Sequence, residues 1–194
     1  MTHLLQGKPQ LIRSKCAFAC LVLVLVCVNP IVSAKSEVEV LPNCVLRLAA
    51  VTSASRETVW SLWADVENWK AFDTLLDYSR LDKGQSFMTG ARGVVKAKGS
   101  PKTRFILTNV EPGVSFIETL QLPLGQKIDL VRYFEASEDN RTVFVHEVRF
   151  RGRLKQIAYW VAAGTFKKEL PLVMGRLRDL AESEPSATGV ELKE

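Results

Sequence analysis

The sequence predicts an α+β domain in which one curved antiparallel sheet holds a long C-terminal helix, with two short helices after the first strand. Three observations predict it. Between about residues 78 and 150, β-prone segments alternate with short runs of turn residues. From Leu154 to Leu180 the apolar period becomes helical, with Phe166, Leu170, Val173, Leu177 and Leu180 at spacings of three and four. Ahead of both, Ser55 and Asp65 stand where helix N-caps belong, before Val59, Trp60, Leu62 and Trp63 and before Trp69 and Phe72.

Residues 1–34 are set apart from this domain by composition. Lys8, Arg13 and Lys15 carry positive charge with no acid among them, an apolar run from Cys16 to Val28 follows, and Val32-Ser33-Ala34 places small residues at a cleavage position. That is the layout of a secretory signal, so the expected mature chain begins at Lys35 and is exported, periplasmic or secreted. The alternative is an N-terminal membrane anchor, but the apolar run falls short of the ~20 residues a spanning helix needs. The domain is expected over 35–182, and 183–194, with Pro185, Gly189 and several acids, reads as a mobile tail.

Within the domain the elements follow in order. Residues 45–51 form the first strand. Ser55 opens a helix at Arg56, and Asp65 opens a second, shorter one. Strands are expected at about 78–82, 93–98, 104–110, 115–122, 127–136 and 142–150. The breaks are Lys83-Gly84, Gly99-Ser100-Pro101, Glu111-Pro112-Gly113, Pro123-Leu124-Gly125 and Glu138-Asp139-Asn140. Such short breaks favour an antiparallel meander. The last helix would run about 40 Å at 1.5 Å per residue. Pro171 cannot donate to the carbonyl of Lys167, so a kink or break is expected near 167–169.

Charge and rare residues exclude several function classes. The chain has a formal charge of +5, three charges of which lie in residues 1–34, leaving about +2 on the domain. That is no footprint for nucleic acid. Of four cysteines only Cys44 lies outside the first 34 residues, which predicts a free thiol rather than a disulfide or a zinc site. His146 is the one histidine of the domain, and there is no Gly-Xaa-Ser-Xaa-Gly elbow, so no catalytic set, metal site or cofactor motif is read.

Four stretches, taken in order, carry a resemblance: Ala54-Ser55-Arg56-Glu57-Thr58-Val59-Trp60 with Asp65-Val66-Glu67-Asn68-Trp69 behind it; Val110-Glu111-Pro112-Gly113; Val145-His146-Glu147-Val148-Arg149-Phe150-Arg151-Gly152; and the last helix with Glu169-Leu170-Pro171. Together they resemble the polyketide cyclase/dehydrase and lipid-transport family of the START-like superfamily, whose fold is the helix grip, over roughly Cys44 to Glu182. The resemblance implies an internal cavity for a small hydrophobic ligand. It does not choose among aromatase/cyclases, ubiquinone-binding proteins and lipid carriers, because fold alone does not settle activity. An export signal departs from what is expected of cytoplasmic polyketide enzymes.

Period two nominates a polar ladder on the sheet's inner face. Glu118 shares a face with Phe116, Leu120 and Leu122. Arg132 shares one with Ile128, Leu130 and Phe134, and His146 with Phe144, Val148 and Phe150. A five-residue loop at 137–141 would set Arg132 opposite His146, and a turn at 123–125 would set Glu118 opposite or diagonal to Arg132. An inward arginine needs a carboxylate or other acceptor, and Glu118 could be that partner. The alternatives are a purely structural ion pair, or strands turned the other way. The aromatic candidates for lining a pocket are Phe116, Phe134, Phe150, Trp69, Phe72, Phe105 and Tyr159, with plain core packing as the alternative. Two functions follow: an exported binding or carrier protein for a lipid, quinone or aromatic metabolite, or a cyclase/dehydratase-type enzyme using the same cavity. The basic clusters Arg151-Gly152-Arg153 and Lys167-Lys168 read as solvated surface, with transient contact to an anionic membrane as the alternative.

Overall fold

A computed structural model describes residues 37–137 and 139–184. The expected cleavage at Ala34 and the tail from 185 lie outside the described residues. Eight strands form one antiparallel sheet in the order β1-β2-β8-β7-β6-β5-β4-β3. They are β1 (Glu39–Leu41), β2 (Val45–Thr52), β3 (Leu76–Leu81), β4 (Arg92–Ala97), β5 (Lys102–Glu111), β6 (Ser115–Gln121), β7 (Lys127–Glu135) and β8 (Thr142–Arg151). From β3 to β8 every connection is a hairpin, as the short breaks required. Only the passage from β2 to β3 crosses the sheet, and it carries α1 (Arg56–Ala64) and a 3₁₀ helix (Val66–Ala71). The long helix α2 (Lys155–Ser183) packs over β2 and β8 and against α1.

Local chemistry accounts for these elements. Ser55 is extended and its hydroxyl accepts from the Thr58 amide at 3.1 Å, which fixes the start of α1. Asp65 departs from expectation. Its side chain caps no backbone amide and instead accepts from the Asn68 side chain at 2.7 Å. The helix behind it is accordingly a tight 3₁₀ segment, held by Trp69 Nε1 donating to the Trp63 carbonyl. Gly93 is required in β4 by close approach: a Cβ there would lie 2.3 Å from the Phe105 ring and 2.4 Å from the Arg80 carbonyl oxygen.

Two further expectations are corrected. Of the kink or break expected near Lys167–Glu169, the break does not occur, and α2 is one continuous helix through Pro171 to Ser183. Leu170, Val173, Met174 and Leu177 are all buried under the sheet, and that packing outweighs one lost hydrogen bond. The sheet also begins earlier than expected, with the three-residue edge strand β1 pairing Glu39 with Arg47. Cys44, in the turn that follows it, is a buried free thiol with a left-handed backbone.

Candidate functional site

The sheet's inner face is built by the period-two alternation of its strands. Phe105 and Leu107 of β5, Phe116 and Glu118 of β6, Arg132 of β7, Phe144 and His146 of β8, and Leu48 of β2 are all buried. Register then decides which of them meet. Arg132 pairs directly with His146 across β7–β8. Across β6–β7 Arg132 pairs with Phe116, and Glu118 with Leu130, so Glu118 is diagonal to Arg132. The Arg132 Nη1 donates to Glu118 Oε2 at 3.2 Å, and both side chains are almost fully buried. The guanidinium carbon lies 5.1 Å from the ring centres of both Trp69 and Phe116, so the cation sits between two aromatic faces.

The structure therefore brings Glu118, Arg132, His146, Trp69 and Phe116 into one cluster. Phe105 extends it, with its ring 5.8 Å from Trp69, and Phe72 is buried in the same core. Phe134 lies on the inner face of β7, paired with Phe144 and 4.9 Å from the Trp63 ring. Phe150 and Tyr159 form a second group nearer the start of α2, edge to face at 5.4 Å. Sequence reasoning missed Asp73. This half-buried residue follows the 3₁₀ helix, and its charge acts on both Arg132 and Glu118. Its one local signal is an Asx turn, with the carboxylate accepting from the Leu75 amide at 3.1 Å, and that says nothing of burial.

The electrostatics follow from burial. Desolvation pushes the Glu118 carboxyl up, and the Arg132 guanidinium pulls against it. Desolvation, helped by the Arg132 charge, holds His146 well below the ordinary histidine value, so its imidazole is neutral. Among the described residues its Nε2 meets no hydrogen-bond partner. The cluster thus offers a cation, a carboxyl and a neutral imidazole among mainly apolar side chains, with Asp73 close enough to act on the pair. Two cavities lined by described residues, of about 350 and 630 Å³, open at the ends of the sheet, and neither is lined by Glu118, Arg132 or His146.

This arrangement fixes a pH dependence. The unfolded chain takes up a proton on His146 near pH 6.5 that the folded chain refuses, so stability is full above about pH 6.5 and falls as pH drops below it. The slope from this one group is at most about 1.4 kcal/mol per pH unit. Glu118 acts with the opposite sign, because its raised carboxyl takes a proton in the fold first. His146→Gln is expected to abolish the loss on acidification below pH 6.5. Equal slopes for wild type and variant in denaturant melts would contradict the assignment.

No protein-family model matches the chain, and no curated protein matches it in sequence. Solved structures do match in shape. A protein from Arthrobacter aurescens is 14% identical with a TM-score of 0.55, over 81% of this chain and 98% of that one. DynU16, described as a putative protein in the dynemicin biosynthetic locus, is 17% identical with a TM-score of 0.53, over 73% of this chain and 48% of that one. StfQ, a di-domain ARO/CYC from the steffimycin biosynthetic pathway, is 10% identical with a TM-score of 0.54, over 72% of this chain and 50% of that one. At these identities the likeness is one of fold, and the fold is the helix grip.

Proposed function

We propose that the chain is exported and binds or carries a small apolar ligand, a lipid, quinone or aromatic metabolite, on the sheet's inner face. One observation carries the proposal: the buried, unpartnered Nε2 of His146 beside the buried Arg132–Glu118 pair. Buried polar atoms almost always find partners, so one that meets none in the protein calls for an explanation, and a bound group is the one proposed here. A ligand with a carbonyl, hydroxyl or carboxylate head on an apolar body supplies that group. The head meets Arg132 and His146, and the body lies against Phe105, Phe116 and Trp69. Export rests on the signal-like layout of residues 1–34.

A second reading rests on the paired shifts of Glu118 and His146. A carboxyl whose hold on a proton is raised by burial and an imidazole held neutral can serve as acid and base toward one substrate, as a cyclase or dehydratase requires. Mass spectrometry of protein exported by its host tests both readings together with export. The denatured mass is expected to correspond to a chain starting at Lys35, and the native mass to include a bound apolar compound that is released unchanged. A chain still carrying Met1 or Thr2 contradicts export. Turnover of the recovered compound selects the enzyme reading.

A further inference from the structure

The strand register defines two ends of the sheet. One end holds the starts of β2, β5 and β7 and the ends of β4, β6 and β8. The segments that close it are 42–44, 72–75, 98–101, 122–126 and 152–154, and Asp73 is the one carboxylate among them. They and their flanks carry Lys98, Lys102, Lys127, Arg151, Arg153 and Lys155. Among the described residues only Arg151 of these is ion-paired, to Asp129 at 2.9 Å. Lys96 nearby is matched by Asp77. The opposite end carries both signs, with Asp82, Glu111, Asp139, Glu182 and Glu184 beside Arg56, Lys83, Arg92 and Arg141.

The basic end also exposes apolar side chains. Leu154, Ile157, Trp160 and Val161 follow helical spacing along the outward side of α2, while Ala158, Tyr159, Ala162 and Ala163 pack inward. The first turns of α2 therefore carry apolar side chains on their outward as well as their inward side, beside Lys155 and Gln156, with Trp160 and Val161 each 79% exposed. Leu124 joins them from the β6–β7 turn, 84% exposed and with a left-handed backbone (φ 58°) that leucine seldom adopts. The two segments are tied together, since the Leu154 amide donates to Gln126 Oε1 at 3.0 Å. Beside them opens the cleft of about 350 Å³, lined by Arg149, Arg151, Lys155, Asn43, Val45, Gly152 and Phe150. No helix among the described residues is long and apolar enough to cross a membrane.

From this we infer that the basic end of the domain docks on the surface of an anionic lipid bilayer. Trp160, Ile157, Val161 and Leu124 enter the headgroup boundary, and the surrounding lysines and arginines face lipid phosphate. Trp favours that boundary, and a mainly basic rim is what an anionic leaflet attracts. A protein partner fits less well, because lysine is depleted from protein interfaces.

Trp160 provides the test. The chain has four tryptophans, and Trp63 and Trp69 are buried and Trp60 half-buried. The difference between wild type and Trp160→Phe therefore isolates the exposed one, whatever the apolar run in residues 1–34 does. With the full chain and phosphatidylcholine–phosphatidylserine vesicles, this difference emission is expected to move to shorter wavelength and to be quenched by brominated acyl chains. Each of Lys102→Gln, Arg153→Gln and Lys155→Gln, surface changes that break no ion pair among the described residues, should weaken the quenching curve about fivefold. The proposal is overturned if the Trp160 emission stays aqueous with vesicles, or if quenching is equal on pure phosphatidylcholine. It is overturned equally if the emission is already blue-shifted before vesicles are added, which would mean that a second copy or another segment of the chain covers this face.

Discussion

Replacing Arg132 by methionine is expected to destabilise the domain by about 3–5 kcal/mol near neutral pH. Methionine keeps much of the volume between Trp69 and Phe116 but leaves the Glu118 carboxylate, 2% exposed, without the one cation paired with it among the described residues. Glu118 can escape by taking a proton. Its carboxyl, already raised, rises further once the guanidinium is gone, so the folded variant binds a proton that the unfolded chain does not. The variant should therefore regain stability as pH falls toward the ordinary carboxylate range. Adding Glu118→Leu should restore most of the loss at neutral pH, because a buried ion pair is commonly no more stabilising than well-packed apolar groups. A single variant within about 1 kcal/mol of wild type in denaturant melts would mean that Arg132 and Glu118 are not coupled as described.

Trp63→Ala is the second large effect, with an expected loss of about 3–5 kcal/mol. Trp63 is buried on the inward side of α1, and its ring meets Phe116 at 6.0 Å, Phe134 at 4.9 Å and Phe144 at 6.1 Å. It joins α1 to three strands, β6, β7 and β8. Thermal or urea unfolding measures the loss. A change below about 1 kcal/mol would show that the aromatic cluster is not a rigid part of the core.

The ladder was legible because strand patterns carry face and loop lengths carry register. Glu118, Arg132 and His146 each share a period-two face with bulky apolar residues, and the loop after β7 sets Arg132 opposite His146. The turn at 123–125 left Glu118 either opposite or diagonal to Arg132, and the structure makes it diagonal. What escaped the sequence depends on tertiary context. Pro171 is a helix breaker by local chemistry, yet the apolar stripe on either side of it holds α2 together. A strand as short as β1 has no period to detect. Asp73 lies in a connecting segment, where no alternation tells inside from outside.

The double replacement bears on function as well as on stability. If Arg132→Met with Glu118→Leu folds as well as wild type, stability does not explain why the sheet carries a buried pair beside an unpartnered imidazole. Ligand anchoring is the proposed explanation. The most direct test is the affinity of an environment-sensitive naphthalene sulfonate dye and its displacement by a fatty acid or a short-chain ubiquinone. It compares wild type, the double variant and Lys167→Ala, a surface control. Wild type and Lys167→Ala are expected to bind and release the dye alike, and the double variant to lose about tenfold or more in affinity for the displacing ligand, or about 1.4 kcal/mol. Equal affinities in all three proteins, with the double variant fully folded, would contradict a ligand held at Arg132 and His146.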